Sequence, residues 1–122
     1  MSQSYEHETG QMLRHACTNV IGFWQLLNCE RTISGKRICP IKRMEWRAYL
    51  TTCAVKLAGL VLEHKETIAE GFLEDPSRIR EFEGTSYVIR LNLRVADELD
   101  LDAFDERAGQ FAIALLGALK RG

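Results

Sequence analysis

Residues 53–62 read CAVKLAGLVL, an apolar run that is interrupted only by Lys56 and by a small break at Gly59. In a soluble protein, a helix that is apolar on all sides must be surrounded by other helices. The run is too short to span a bilayer, because Arg47 precedes it and the charged residues 63–66 follow it. This stretch therefore predicts an all-α fold, a compact bundle of about four helices around a central apolar helix.

Length and composition predict one helical domain over residues 1–122. A chain of 122 residues is long enough to bury one sizeable core and too short for two. Hydrophobic residues make up 46% of it and charged residues 27%, which excludes the disordered and fibrous classes. Residues 1–8 lack the basic and apolar regions of a secretory signal, so we expect a cytoplasmic protein without a membrane partner.

Apolar residues recur at helical spacing in four segments of the chain. Asp75 and Asp102 are suited to cap the N-termini of the last two segments. The second segment is long enough that we expect a kink or a break near Gly59 or Gly71. The predicted helices cover roughly residues 5–29, residues 42–72, the segment that begins at Asp75, and residues 102–120.

Residues 86–95 fit either a strand or a helix. Apolar and polar side chains alternate there, as they do in a half-buried strand. As a helix, the same region has two apolar stripes, one with Phe82 and Ile89 and a second beside it with Val88 and Leu91. We favour the helix, because a capped helix start precedes the region.

Charge is unevenly distributed along a chain whose net charge is only −1. Residues 31–47, the basic segment, contain a single acidic residue, Glu45, whereas residues 97–106 are strongly acidic. Within the basic segment, residues 31–39 fit either a short β-hairpin or an irregular loop. We expect the acidic residues to offset part of the basic charge, within one chain or across a dimer, and the rest to contact a protein partner or nucleic acid. The predicted partner-binding residues are Arg31, Lys36, Arg37, Lys42, Arg43 and Arg47.

The sequence contains no specific catalytic or metal-binding signature. Its four cysteines include no close Cys-x-x-Cys pair, and Cys17 and Cys53 fall on apolar helical faces. Neither a serine nor a cysteine has a base at a known motif spacing, and the glycines are dispersed. We therefore assign no catalytic, cofactor-binding or metal-binding residue and predict no cofactor.

Residues 93–102, LRVADELDLD, resemble the last helix and turn of MazG-like nucleotide pyrophosphohydrolases. These small all-α enzymes cleave nucleoside triphosphates with magnesium, which clustered carboxylates hold. The family's first acidic motif is partly matched by residues 62–66, and the resemblance implies metal binding by Glu63, Glu66 and Glu70. The second acidic motif falls on residues 84–87, which contain no carboxylate.

The absence of catalytic motifs favours a non-enzymatic function. We expect a small cytoplasmic interaction protein that acts through protein–protein contacts, such as a regulator, adaptor or inhibitor of the kind that mobile elements encode. A divergent or degenerate MazG-like pyrophosphohydrolase is one alternative. A nucleic-acid-binding protein that uses the basic segment is another.

A homodimer is the expected oligomeric state. Several aromatic residues fall on helix faces that have no assigned place in the core, and small residues near the end of the chain permit close helix approach. The aromatic residues are Phe23, Tyr49 and Phe72, and the small ones are Ala108, Gly109 and Ala112.

Overall fold

Five α-helices and one 3₁₀ turn form the described part of the protein. The structure is a computed structural model that describes residues 2–33, 40–92 and 101–121, with side chains for residues 8–28, 42–91 and 102–121. The helices are α1 (Ser2–Ile33), α2 (Pro40–Glu63), α3 (Lys65–Gly71), α4 (Ile79–Asn92) and α5 (Leu101–Ala118), and the 3₁₀ turn is Pro76–Arg78. The predicted all-α class is confirmed. None of the helices in these ranges is long and apolar enough to cross a membrane.

Helix α2 contains the apolar run and contacts each of the other four α-helices. Its inner side chains, among them Leu50, Leu57 and Val61, are fully buried. Lys56, the one charged residue of the run, is exposed. The strongest feature of the sequence therefore becomes the element around which the other helices pack.

The predicted helix over residues 42–72 is broken at His64. Gly59 lies inside α2 and Gly71 ends α3, so neither predicted position holds the break. At His64 the backbone angles are φ −116° and ψ 24°, yet its N–H donates to the carbonyl of Leu60 at 3.0 Å. The change of direction allows α3 to bury Ile68 completely.

The predicted cap at Asp75 is confirmed. Its carboxylate accepts hydrogen bonds from the backbone N–H and the hydroxyl of Ser77, at 3.0 and 2.7 Å. These bonds favour the ionised form and lower the pKa of Asp75. The cap starts the 3₁₀ turn that leads directly into α4, so the sequence placed this helix start correctly.

The ends of α3 and α5 are joined by backbone pairing. Leu73 and Leu119 form an antiparallel bridge. On either side of it, the N–H of Glu74 donates to the carbonyl of Ala118 at 3.0 Å, and the N–H of Lys120 donates to the carbonyl of Phe72 at 2.7 Å. This pairing ties the middle of the chain to the segment that follows α5.

The ambiguous segments are only partly described. Residues 86–92 belong to α4, which confirms the helix there, while residues 93–95 lie outside the described residues. Residues 31–33 are the last residues of α1, and residues 34–39, the rest of the suggested hairpin, also lie outside. Asp102 lies in the first turn of α5, which begins one residue earlier than its predicted cap.

The small and aromatic residues behind the dimer prediction make contacts within the chain. Gly109 is buried beneath the ring of Trp24, and a Cβ there would overlap that ring. Phe72 lies against Gly10 in the same way. Phe23 stacks on Tyr49 with 5.3 Å between ring centroids. Ala108 and Ala112 are fully buried as well, so these small residues serve packing inside the protein.

Substituting Gly109→Ala tests the contact with Trp24. We expect a loss of about 1–3 kcal/mol in the free energy of unfolding, because the added methyl group forces the Trp24 ring to move. Gly84→Ala is the matched control, since Gly84 is exposed in the middle of α4 and a Cβ there meets nothing within 4 Å. It should gain about 0.5–1 kcal/mol from helix propensity. Urea denaturation followed by circular dichroism measures the stability of both variants. An equal gain in stability in the two variants would contradict the contact between Gly109 and Trp24.

Candidate functional site

The basic segment is described at its two ends. Arg31 lies in the last turn of α1, and its side chain lies outside the described residues, as do Lys36 and Arg37. Lys42 is exposed and Arg43 is half-buried near the start of α2. Of the six predicted partner-binding residues, the structure therefore describes the side chains of the three in α2.

Arg47 is bound by two carboxylates of α5. Its Nε donates to Oδ2 of Asp105 at 2.9 Å, and its Nη2 donates to Oδ1 of Asp102 at 3.0 Å. The side chains of Arg47 and Asp105 are only 22% and 8% exposed. The acidic residues thus offset part of the basic charge within one chain, and the guanidinium of Arg47 is engaged inside the protein.

The two carboxylates also lie at the end of α5 that favours negative charge. Asp102 lies in the first turn of α5, where unpaired backbone N–H groups create a partial positive charge. Asp105 follows one turn later and is buried. Arg47 therefore connects α2 to the N-terminal turns of α5 through charge-assisted hydrogen bonds, which are stronger than neutral ones.

The acidic residues implied by the pyrophosphohydrolase resemblance lie on two helices. Glu63 ends α2, and Glu66 and Glu70 belong to α3. Nearby, Lys65 forms an ion pair with Glu83 at 3.5 Å. Among the side chains that the structure describes, no group of three or more His, Cys, Asp or Glu residues is placed to hold a metal ion. The described part of the chain does not assemble the carboxylate cluster that the resemblance implies.

Both described cysteines are in environments that disfavour a thiolate. Burial raises the pKa of Cys17 to about 12, although Arg14 acts in the opposite direction. Burial also raises the pKa of Cys53, against a smaller lowering by Lys56. Because the thiolate is the nucleophilic form, these residues behave as the small apolar side chains that the sequence predicted.

An open groove of about 560 Å³ separates α4 from α5. Phe82 and Phe111 lie at its base, with 6.2 Å between their ring centroids, and both are almost fully buried. Alanine and polar side chains form its walls and rim. These other lining residues are Glu81, Thr85, Ala103, Glu106, Arg107, Gln110 and Ala114.

Three large apolar side chains are exposed on α4, the helix that forms one wall of this groove. Tyr87, Val88 and Leu91 are 56%, 39% and 60% exposed. Val88 lies three residues after Thr85, which lines the groove, and is its neighbour on the helix surface. Tyr87 and Leu91 lie further round α4 than Val88 and do not line the groove. We call the three apolar residues Tyr87, Val88 and Leu91, together with the groove, the α4–α5 surface.

The sequence contains a signal for this surface. It predicted two apolar stripes on the helix, and the structure buries Phe82 and Ile89 of the first stripe while Val88 and Leu91 of the second remain exposed. A second apolar stripe on a helix of a small domain has no core to enter. It therefore indicates a surface that another molecule can cover.

No protein-family model matches the sequence, and neither a curated protein nor a solved structure was found to match it.

Substituting Arg47→Met tests the connection between α2 and α5. We expect a loss of about 2–3 kcal/mol in the free energy of unfolding, because Asp105 stays buried without its cation. This loss lies between the cost of breaking an exposed ion pair and that of breaking a fully buried one. Lys42→Met, at an exposed position of the same helix, is the control and should change stability by less than about 0.5 kcal/mol. Equal effects in urea denaturation would contradict the prediction.

A direct assay tests the enzyme alternative. We expect no pyrophosphate release when the protein is incubated with magnesium and each nucleoside triphosphate, because the described carboxylates do not converge. The comparison uses Glu66→Gln and, as a control at an exposed position, Glu74→Gln. Release by the parent that is lost in the first variant and kept in the second would establish the enzyme.

Proposed function

We propose that this chain is a small non-enzymatic interaction protein of the cytoplasm that binds another protein at the α4–α5 surface. The single observation that carries the proposal is the exposed apolar stripe on α4, the helix that forms one wall of an open groove with an aromatic base. A regulator, adaptor or inhibitor acts through a surface of this kind.

The composition of the surface distinguishes it from ordinary exposed residues. Single exposed apolar side chains are common on proteins and need no explanation. Here Tyr87, Val88 and Leu91 are exposed within two helical turns of α4, and Val88 is the surface neighbour of Thr85, which lines the groove. Contiguous apolar surface with a polar rim is typical of protein-binding sites.

The groove fits an amphipathic helix of the partner. Its α5 wall extends from Ala103 to Ala114, a length of about 16 Å, or three helical turns. A helix of that length places two or three apolar anchors in such a groove, at spacings of three, four or seven residues. The rim offers Glu106 and Arg107 as adjacent charges of opposite sign, which can fix the direction of the bound helix.

The basic segment is a second place where a partner can add contacts. Lys42 is exposed at the start of α2, whereas the guanidinium of Arg47 is engaged by Asp102 and Asp105. This engagement removes one of the six predicted basic residues from the set available to a nucleic acid.

Site-specific photocrosslinking tests the proposal. A photoreactive residue is introduced at Thr85 in the groove or at Gln25, an exposed position of α1, and each protein is added to native lysate. We expect one dominant protein adduct at position 85 and none of that identity at position 25. The adduct should fall by about tenfold or more when Leu91→Asp is added, because a charge in an apolar contact removes a central anchor.

The control for Leu91→Asp is Ile113→Asp. Ile113 is an exposed apolar residue of α5 that does not line the groove. This variant should retain the adduct, and both Asp variants should keep the melting temperature of the parent. An adduct that persists in Leu91→Asp, or that forms equally at positions 25 and 85, would refute the proposed site.

A further inference from the structure

We propose that a second copy of this chain binds to the outer face of α1 and α2, about a two-fold axis that passes between Tyr49 and Thr52. We call this surface the α1–α2 face. It consists of Met12, Asn19 and Leu26 on α1 and of Glu45, Tyr49, Thr52 and Lys56 on α2. The α4–α5 surface takes no part in it, so the proposal does not depend on the proposed function.

Contacts within the chain show that the two helices lie side by side and run in opposite directions. Phe23 stacks on Tyr49 near one end of the face. Towards the other end, Met12 and Lys56 line the same cavity of about 60 Å³ between the helices. Residue numbers therefore fall along α1 as they rise along α2, and the two helices present one continuous surface.

The face has the residue spacing of a helix-packing surface. Met12, Asn19 and Leu26 follow one another at intervals of seven residues. On α2, Tyr49 and Lys56 are also seven residues apart, as are Glu45 and Thr52. A seven-residue spacing keeps side chains on one side of a helix, where they can contact a second helix along its length. The same periodicity thus continues on the outer surface of the bundle.

Apolar side chains are exposed along this face. Met12, Leu26 and Tyr49 are 47%, 43% and 54% exposed. Gly22 lies on α1 between Asn19 and Leu26, and a Cβ there would meet nothing within 4 Å. A glycine inside a helix costs about 1 kcal/mol relative to alanine, and no contact among the described residues requires it. A helix of a second copy that packs closely against α1 explains why a residue without a side chain is present at this position.

Charge identifies the occupant as a second copy. Glu45 and Lys56 are both exposed, have opposite charges and lie equally far from the midpoint between Tyr49 and Thr52. They are eleven residues apart, about 16 Å along the helix, which is too far for a pair within one chain. When α2 lies antiparallel to its copy about that midpoint, Glu45 faces the partner's Lys56 and Lys56 faces the partner's Glu45. One surface therefore complements itself, as an isologous interface must.

A charge-swap experiment tests the arrangement by sedimentation equilibrium over a range of protein concentrations. The parent should dimerise, and Glu45→Lys and Lys56→Glu should each weaken self-association by about tenfold or more, because each variant places like charges opposite each other. Mixing the two variants should restore dimerisation, because both lysines of the first variant then face glutamates of the second. The double variant E45K/K56E should also dimerise.

Control variants carry the same charge changes away from the face. Glu74→Lys and Arg121→Glu alter exposed residues near the paired segment that follows α5 and should dimerise as the parent does. All variants should keep the parent's thermal melt by circular dichroism, because exposed charges contribute little to folding. A monomeric parent at high concentration would overturn the proposal, as would two single variants that fail to associate when mixed.

Discussion

Helix α2 is apolar on several sides, so other helices must pack against each of these sides. The positions of the other elements follow from this requirement. Its inner side chains are fully buried, and each of the four other α-helices contacts it. Each covering helix turns its most apolar side inward. Apolar side chains elsewhere on the same helix must then face solvent, as Val88 and Leu91 of α4 do. The two proposed binding surfaces are thus a consequence of how the other helices pack around α2.

The features that the sequence predicted correctly are those set by neighbouring residues. The central apolar run and the cap at Asp75 depend on side chains a few positions apart, and both are present in the structure. The two apolar stripes of α4 were also present in the pattern. Periodicity does not say which stripe meets the core, because that choice depends on where the other helices lie. The α4–α5 surface could therefore be recognised only from the packed structure.

The features that the sequence did not predict depend on residues that are far apart in the chain. Arg47 binds carboxylates 55 and 58 residues further along. Gly109 is matched to the ring of Trp24 on another helix. The break at His64 reflects the direction in which α3 must turn to bury Ile68. The sequence predicts a break near a glycine, yet α2 continues through Gly59, because its neighbours Ala58 and Leu60 are buried in the core.

The backbone pairing between residues 72–74 and 118–120 has a consequence for how the protein is made. Helix α1 packs against both α2 and α5, and the guanidinium of Arg14 donates to the carbonyl of Lys120. A growing chain on the ribosome exposes the α5-facing side of α1 until residues as far as 120 have been synthesised. Contacts of such wide sequence separation slow folding, and exposed apolar surface attracts chaperones and promotes aggregation. Synthesis that pauses before α5 is complete would leave that side of α1 exposed to solvent.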